Sequence, residues 1–240
     1  MTAPAKEKRE VTLPEGVSLR RVAQVLLDAW EADPGRWMNQ PAQLREGASP
    51  STMPVPQDAL DLFRLLAERR VEYLLVGGMA MLTYVKGRNT RDADLLLSLD
   101  AFQQIPELEI RHRQDFFARA QFRSLLVNLL FTFNPLFQIV ASKFATVHTF
   151  AELAVPAATV EGLIVLKLYA LPSLYRQFDM DRAALYENDI ATLIARYSPA
   201  LEPLLALATH EIEPGDQKEL SQIISECSER AKLLRHRTGQ

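Results

Sequence analysis

The run Leu74-Leu75-Val76-Gly77-Gly78, followed by Asp92-Ala93-Asp94-Leu95-Leu96-Leu97, constrains this chain more than any other feature. Val71 to Val76 is short, apolar and β-branched at its ends, the pattern of a buried strand. Gly77-Gly78 closes that strand, and Met79 to Tyr84 reads as a helix. Ala93 to Leu97 reads as a second strand. Asp92 and Asp94 stand at i and i+2 at its entrance, so both side chains project to one face, roughly 6.6 Å apart along the strand. Two carboxylates projecting together are unfavourable unless a cation lies between them. Hard divalent cations such as Mg²⁺ take oxygen ligands, commonly one or two carboxylates completed by substrate phosphates. Glycines after a strand let a backbone approach a ligand closely, and a helix N-terminus offers free N–H groups to phosphate. A glycine turn for a triphosphate and paired acids for its metal form a coherent site, because metal ions in nucleotidyl transfer activate the attacking oxygen and neutralise the leaving pyrophosphate.

The rest of the chain places this block inside a larger plan. Residues 1–16 read as a polar tail, and Ser18 caps a helix that runs to about Trp30. Pro34, Pro41, Pro50, Pro54 and Pro56, with Gly35 and Gly47, then break regular structure, so residues 1–56 form an N-terminal helix and a proline-rich arm. Residues 57–157 read as an α/β core. Its expected elements are a helix from Gln57 to Arg69, the two strands above, a helix over Asp115 to Ala120 and a long strand from Arg123 to Thr132. A helix over Pro135 to Ala145 and one or two short strands within Val147 to Val155 complete it. Residues 158–240 are helical by pattern, about 160–171, 181–196, 199–209 and 216–235. Strands precede the late helices instead of alternating with them, which gives an α+β class.

The block Gly77-Gly78, a spacer, then Arg88-x-Thr90-x-Asp92-x-Asp94 and an apolar strand resembles the signature of the DNA polymerase β-like nucleotidyltransferase superfamily. More narrowly, it is similar to the minimal nucleotidyltransferases and the abortive-infection-type toxin nucleotidyltransferases. Val160 to Ala170, with Lys167 at its centre, resembles the lysine-bearing helix of that family, and Asp189-Ile190 resembles its later acidic helix. The likeness spans about residues 57–196. It implies a mixed β-sheet core with flanking helices. It also implies transfer of a nucleoside monophosphate from a nucleoside triphosphate such as ATP to an acceptor hydroxyl, with Mg²⁺ as cofactor. The acceptor it implies is tRNA or a protein, and the setting a toxin–antitoxin or phage-defence system with a cognate antitoxin or toxin as partner. By the same resemblance Asp92 and Asp94 bind metal, Gly77, Gly78, Arg88 and Thr90 bind nucleotide, Lys167 contacts phosphates, and Asp189 holds that lysine or assists at the centre. Asn128, within Leu126-Val127-Asn128-Leu129-Leu130, stands where many members carry a third aspartate. Its carbonyl can coordinate a metal but it carries no charge and cannot act as a base. A catalytically impaired nucleotide-binding or antitoxin-like module is therefore the alternative. Near Asp189, where family toxins often carry a basic-acidic pair, Leu185 and Tyr186 stand instead, with Arg182 and Glu187 the nearest charges.

Plainer readings stand beside these. Arg88 contacts phosphate or pairs with a neighbouring aspartate; Thr90 fixes the backbone ahead of the acids; Lys167 is a phosphate ligand or a lysine snorkelling from a mostly buried helix. Asn128 is a remnant metal ligand or a structural amide. The four histidines show no ligand spacing, and the single cysteine, Cys227, excludes an internal disulfide framework and a cysteine-based zinc site. A net charge of −3 gives no global basic field, so any RNA grip must be local, from Lys86, Arg88 and Arg91 or from Arg111, His112, Arg113, Arg119 and Arg123. No uncharged apolar run approaches the roughly 20 residues that span a bilayer, and the expected location is cytoplasmic.

Overall fold

A computed structural model of the chain describes residues 56–85, 90, 92–150, 152–210, 212 and 214–238. The expected N-terminal helix, nearly all of the proline-rich arm, and Arg88 lie outside the described residues. The elements run α1 (Pro56–Glu68), β1 (Tyr73–Val76), α2 (Gly77–Met81), β2 (Asp92–Leu97), α3 (Leu99–Gln103), β3 (Glu109–Arg113), β4 (Phe117–Phe122) and β5 (Leu125–Phe131). Then come α4 (Pro135–Lys143), β6 (Ala145–Phe150), β7 (Leu153–Ala158), α5 (Val160–Arg176), α6 (Met180–Tyr197), α7 (Leu201–Thr209) and α8 (Pro214–Thr238). The strands form one seven-stranded mixed sheet in the order β3-β4-β5-β2-β1-β7-β6. The β2–β5 and β1–β7 pairs are parallel and the others antiparallel.

Strand alternation gives the sheet two unlike faces. Ala93, Leu95 and Leu97 of β2 pair with Val127, Leu129 and Phe131 of β5, and all six are fully or almost fully buried. Ala118, Ala120 and Phe122 continue that face onto β4. Helices α1 and α3 cover it: Phe63 stacks on Tyr73 of β1, and Phe102 meets Phe131 edge-on. The opposite face carries Asp92, Asp94, Asn128 and Arg119, and there the helices α2, α4 and α5 reach only part of the sheet. The C-terminal helices pack onto one another and onto α5, with α6 against both α5 and α8.

The elements β4, β3 and α2 differ from the sequence expectations. The segment expected to be a helix over Asp115 to Ala120 is the strand β4. Ala118, Arg119, Ala120 and Gln121 favour helix intrinsically, but pairing with β5 along the whole strand overrides that preference. Its hairpin turns at Arg123-Ser124, where Arg123 takes a left-handed φ of 53° without a glycine, so no usual turn signal marks it. The edge strand β3, Glu-Ile-Arg-His-Arg, is exposed at every position and shows no apolar alternation to reveal it. The helix after β1 begins at Gly77 itself and ends at Met81.

Candidate active site

Gly77 follows β1 with a φ of 64°, a left-handed conformation that favours glycine. A Cβ at this position would overlap the Asp94 carboxylate and stand 2.8 Å from Asp94 Cβ. The backbone N–H of Gly78 donates to Asp94 Oδ2 at 3.2 Å. The glycine pair therefore has a structural task beyond approach to a ligand: it houses the second acid of the Asp-x-Asp motif against the turn.

Asp92 and Asp94 do share a face, and they converge. Asn128 Nδ2 donates to Asp92 Oδ2 at 2.9 Å and to Asp94 Oδ1 at 2.8 Å. Parallel pairing of β2 with β5 places Asn128 opposite Asp94, which brings its amide between the two carboxylates. Thr90 Oγ1 donates to Asp92 Oδ1 at 3.0 Å and so fixes the first acid from the preceding residues. Burial, and then the charge of Asp92, push the Asp94 carboxyl above the ordinary carboxylate range; Asn128, Arg182 and Gly78 pull the other way. The two carboxylates are half-buried and held by neutral donors, with the Arg182 guanidinium as a compensating charge. Two convergent carboxylates, with no cluster of three acidic, histidine or cysteine ligands among the described residues, suit a hard divalent cation that completes its shell with phosphates and water.

A cleft of about 660 Å³ opens beside Asp94. Gly77, Asp94, Arg119, Lys167, Arg182 and Tyr186 are among its lining residues. Lys167 is 3% exposed; its Nζ pairs with Asp189 Oδ2 at 2.8 Å and sits over the Tyr186 ring, 4.2 Å from the centroid. Asp189, 2% exposed, thus holds the lysine. Gly77, Asp94 and Lys167 line the cleft together; Gly78 and Asn128 bond to Asp94, Asp92 is tied in through Asn128 and Thr90, and Asp189 stands behind Lys167. Arg182, which the sequence marks only as a charge near Asp189, is a cation of the cleft lining. Its guanidinium lies over the Tyr186 ring at 5.6 Å. Burial opposes its charge, but Tyr186, Asp94 and Asp92 hold it above the ordinary arginine value. Arg182, Tyr186 and Asp189 fall at i, i+4 and i+7 on α6, a polar stripe on one helical face that was visible in the sequence.

No protein-family model matches the chain, and no curated protein matches it. Among solved structures it is similar to an antigenic nucleotidyltransferase-like protein from Paracoccidioides brasiliensis, with a TM-score of 0.50 and 17% identity over 74% of this chain and 91% of that one. A match to the antibiotic-resistance factor ANT(2″)-Ia has a TM-score of 0.41 and 12% identity, covering 77% of this chain and 97% of that one. The mixed sheet, the paired acids beside the glycine turn and the first of these likenesses agree: the chain has the nucleotidyltransferase-like fold.

Proposed function

We propose that this protein is a magnesium-dependent nucleotidyltransferase that moves a nucleoside monophosphate from a nucleoside triphosphate to an acceptor hydroxyl. The observation that carries the reading is the convergence of Asp92 and Asp94 on one amide, with Asp94 lining a cleft together with Gly77, Lys167 and Arg182. Asp92 and Asp94 would hold Mg²⁺, which supplies charge neutralisation and alignment of the phosphates when bound. In the transfer the acceptor oxygen bonds to the α-phosphorus, the bond from that phosphorus to the β-bridging oxygen breaks, and pyrophosphate leaves with the electron pair. Arg182 is placed to meet phosphate charge, and the buried Asp189 fixes the Lys167 ammonium at the cleft wall. Asn128 offers no base, so the hydroxyl proton leaves to the carboxylate pair or to water. The likeness of the glycine-to-aspartate block to the minimal and abortive-infection-type enzymes supports tRNA or a protein as acceptor, and a toxin–antitoxin or phage-defence setting.

Incubation with α-labelled triphosphates, Mg²⁺ and total RNA or partner protein tests this. Label transfer by the wild type that is lost in Asp94→Ala is expected; no transfer, or equal transfer by the variant, sinks it. The position of Asn128 favours one second reading, a nucleotide-binding module without turnover, since a neutral amide occupies the place of an acid. Turnover by the unmodified protein removes that reading.

A further inference from the structure

We propose that β4 and β3 carry the acceptor subsite, with Arg119 as its anchor and a phosphate of the acceptor as the group it binds. The inference rests on the transfer chemistry above and deepens it. Register pairs Val76 with Asp94, Asp94 with Asn128, Asn128 with Arg119, and Arg119 with His112. Directly paired residues share a face, so these five form one row across β1, β2, β5, β4 and β3. At about 4.8 Å per strand, Arg119 stands roughly 10 Å from Asp94 along the row. Gly77, next to Val76, lies at the opposite end of it.

The order of the row sets a direction. Displacement at phosphorus places the attacking and leaving oxygens roughly in line. With the leaving pyrophosphate on the side of Gly77 and Lys167, the acceptor hydroxyl must enter from the side of Asn128, over β5 and β4. The first cation on that path is Arg119, which is exposed and has no carboxylate partner among the described residues; its guanidinium lies over the Phe117 ring at 5.9 Å from the centroid. His112 stands beside it across the β3–β4 pair, and both line the cleft. The other charges there are Asp115 at the hairpin turn, and Asp216 and Arg176, which are tied to each other across the cleft. An unpaired planar guanidinium with five donors suits a bidentate phosphate contact. Phe116, 42% exposed and packed at 5.4 Å from Phe133, adds an apolar ring surface next to it on which a base can stack. A cationic acceptor would meet Arg119 as a repelling charge.

The test uses the full chain with a short single-stranded RNA bearing a free 3′-hydroxyl and a fluorescent 5′ end, read by anisotropy. Binding of ATP with Mg²⁺ is read in parallel by calorimetry. Wild type is expected to bind the RNA more weakly as salt rises, Arg119→Ala to weaken it about tenfold, and Arg119→Lys to recover part of the loss, with ATP binding unchanged. Displacement of the RNA by ribose 5-phosphate at matched concentration assigns the subsite to a small phosphorylated acceptor; displacement by unlabelled strand alone assigns it to a nucleic acid. Wild type that binds ATP but no RNA, or RNA binding undiminished in Arg119→Ala, overturns the inference and leaves the transfer reading standing. Wild type that fails to bind ATP removes the transfer reading itself.

Discussion

Gly77→Ala isolates the contact on which the site geometry depends. Two effects combine. The backbone there has a φ of 64°, and placing a non-glycine residue in that region costs about 1–2 kcal/mol. The new methyl would also overlap the Asp94 carboxylate, so that side chain must leave its place and lose its hydrogen bonds from Gly78 and Asn128. Bonds to a charged group contribute about 1.5–3 kcal/mol each, but a displaced carboxylate regains water, so about 2–3 kcal/mol is a fair share for the clash. The expected loss is about 4 kcal/mol, or about 10 °C in Tm for a chain of this size. A double-mutant cycle with Asp94→Gly separates the two effects, because that change removes the carboxylate and the Cβ that the methyl meets. In the Asp94→Gly background, Gly77→Ala should lose only the backbone part, leaving a coupling energy of about 2–3 kcal/mol. Urea unfolding of the four proteins, followed by circular dichroism, measures it. Additivity within about 0.5 kcal/mol would show that Gly77 and Asp94 do not compete for the same space and would refute the reasoning.

Other consequences follow from the same contacts. The Asp94 carboxyl is raised in the folded protein, so between the ordinary carboxylate pKa and that raised value the folded state holds the extra proton. Stability in EDTA should therefore fall as pH rises through that window, and thermal scans of Asp94→Asn should show a flatter profile. Mg²⁺ should raise the Tm of the wild type at neutral pH and leave that of Asp94→Asn nearly unchanged; equal shifts in both would place the cation elsewhere. Lys167→Ala strands a buried carboxylate and should destabilise by about 3–5 kcal/mol, whereas Lys167→Met combined with Asp189→Leu should recover most of that loss in the same unfolding assay. Asn128→Asp replaces two donated hydrogens by a third negative charge, so it should destabilise the metal-free protein by about 3 kcal/mol or more, with Mg²⁺ restoring the difference.

The sequence revealed the centre of the sheet better than its edge, for a physical reason. Leu74 to Val76 and Leu95 to Leu97 are buried on both sides or nearly so, and continuous apolar runs announce such strands. The edge strand β3 faces solvent throughout, and β4 hides its period of two behind alanines, because Ala118 and Ala120 fill the inward positions while Arg119 and Gln121 face the cleft side. The site divides in the same way. Asp92 and Asp94 are legible from spacing, since i and i+2 in a strand fix a common face. The Gly77–Asp94 contact is not, because it depends on how tightly the turn after β1 is laid against β2. The Lys167–Asp189 pair could be guessed only from family likeness, as 22 positions separate the partners. Arg182 was within reach of helical spacing, one turn ahead of Tyr186, had that stripe been weighed with the acids.

Asn128 joins these points into one electrostatic argument. A third carboxylate at that register position would face Asp94 directly and place three negative charges on neighbouring strands, a cluster stable only with more than one cation. An amide there leaves two carboxyl groups already aligned, because both are hydrogen-bonded to it. An amide at that position also offers no base on the side from which the proposed acceptor would enter. On the proposed transfer reading, chemistry at this floor would depend on positioning and on the charge of a bound cation more than on proton abstraction by the protein. Transfer rates in the wild type should then rise with pH only as far as Asp94 deprotonates and the acceptor hydroxyl ionises. A pH–rate profile with Asn128→Asp as comparison decides this. An acidic limb in Asn128→Asp additional to the Asp94 limb of the wild type fits the argument, and the same set of limbs in both proteins refutes it.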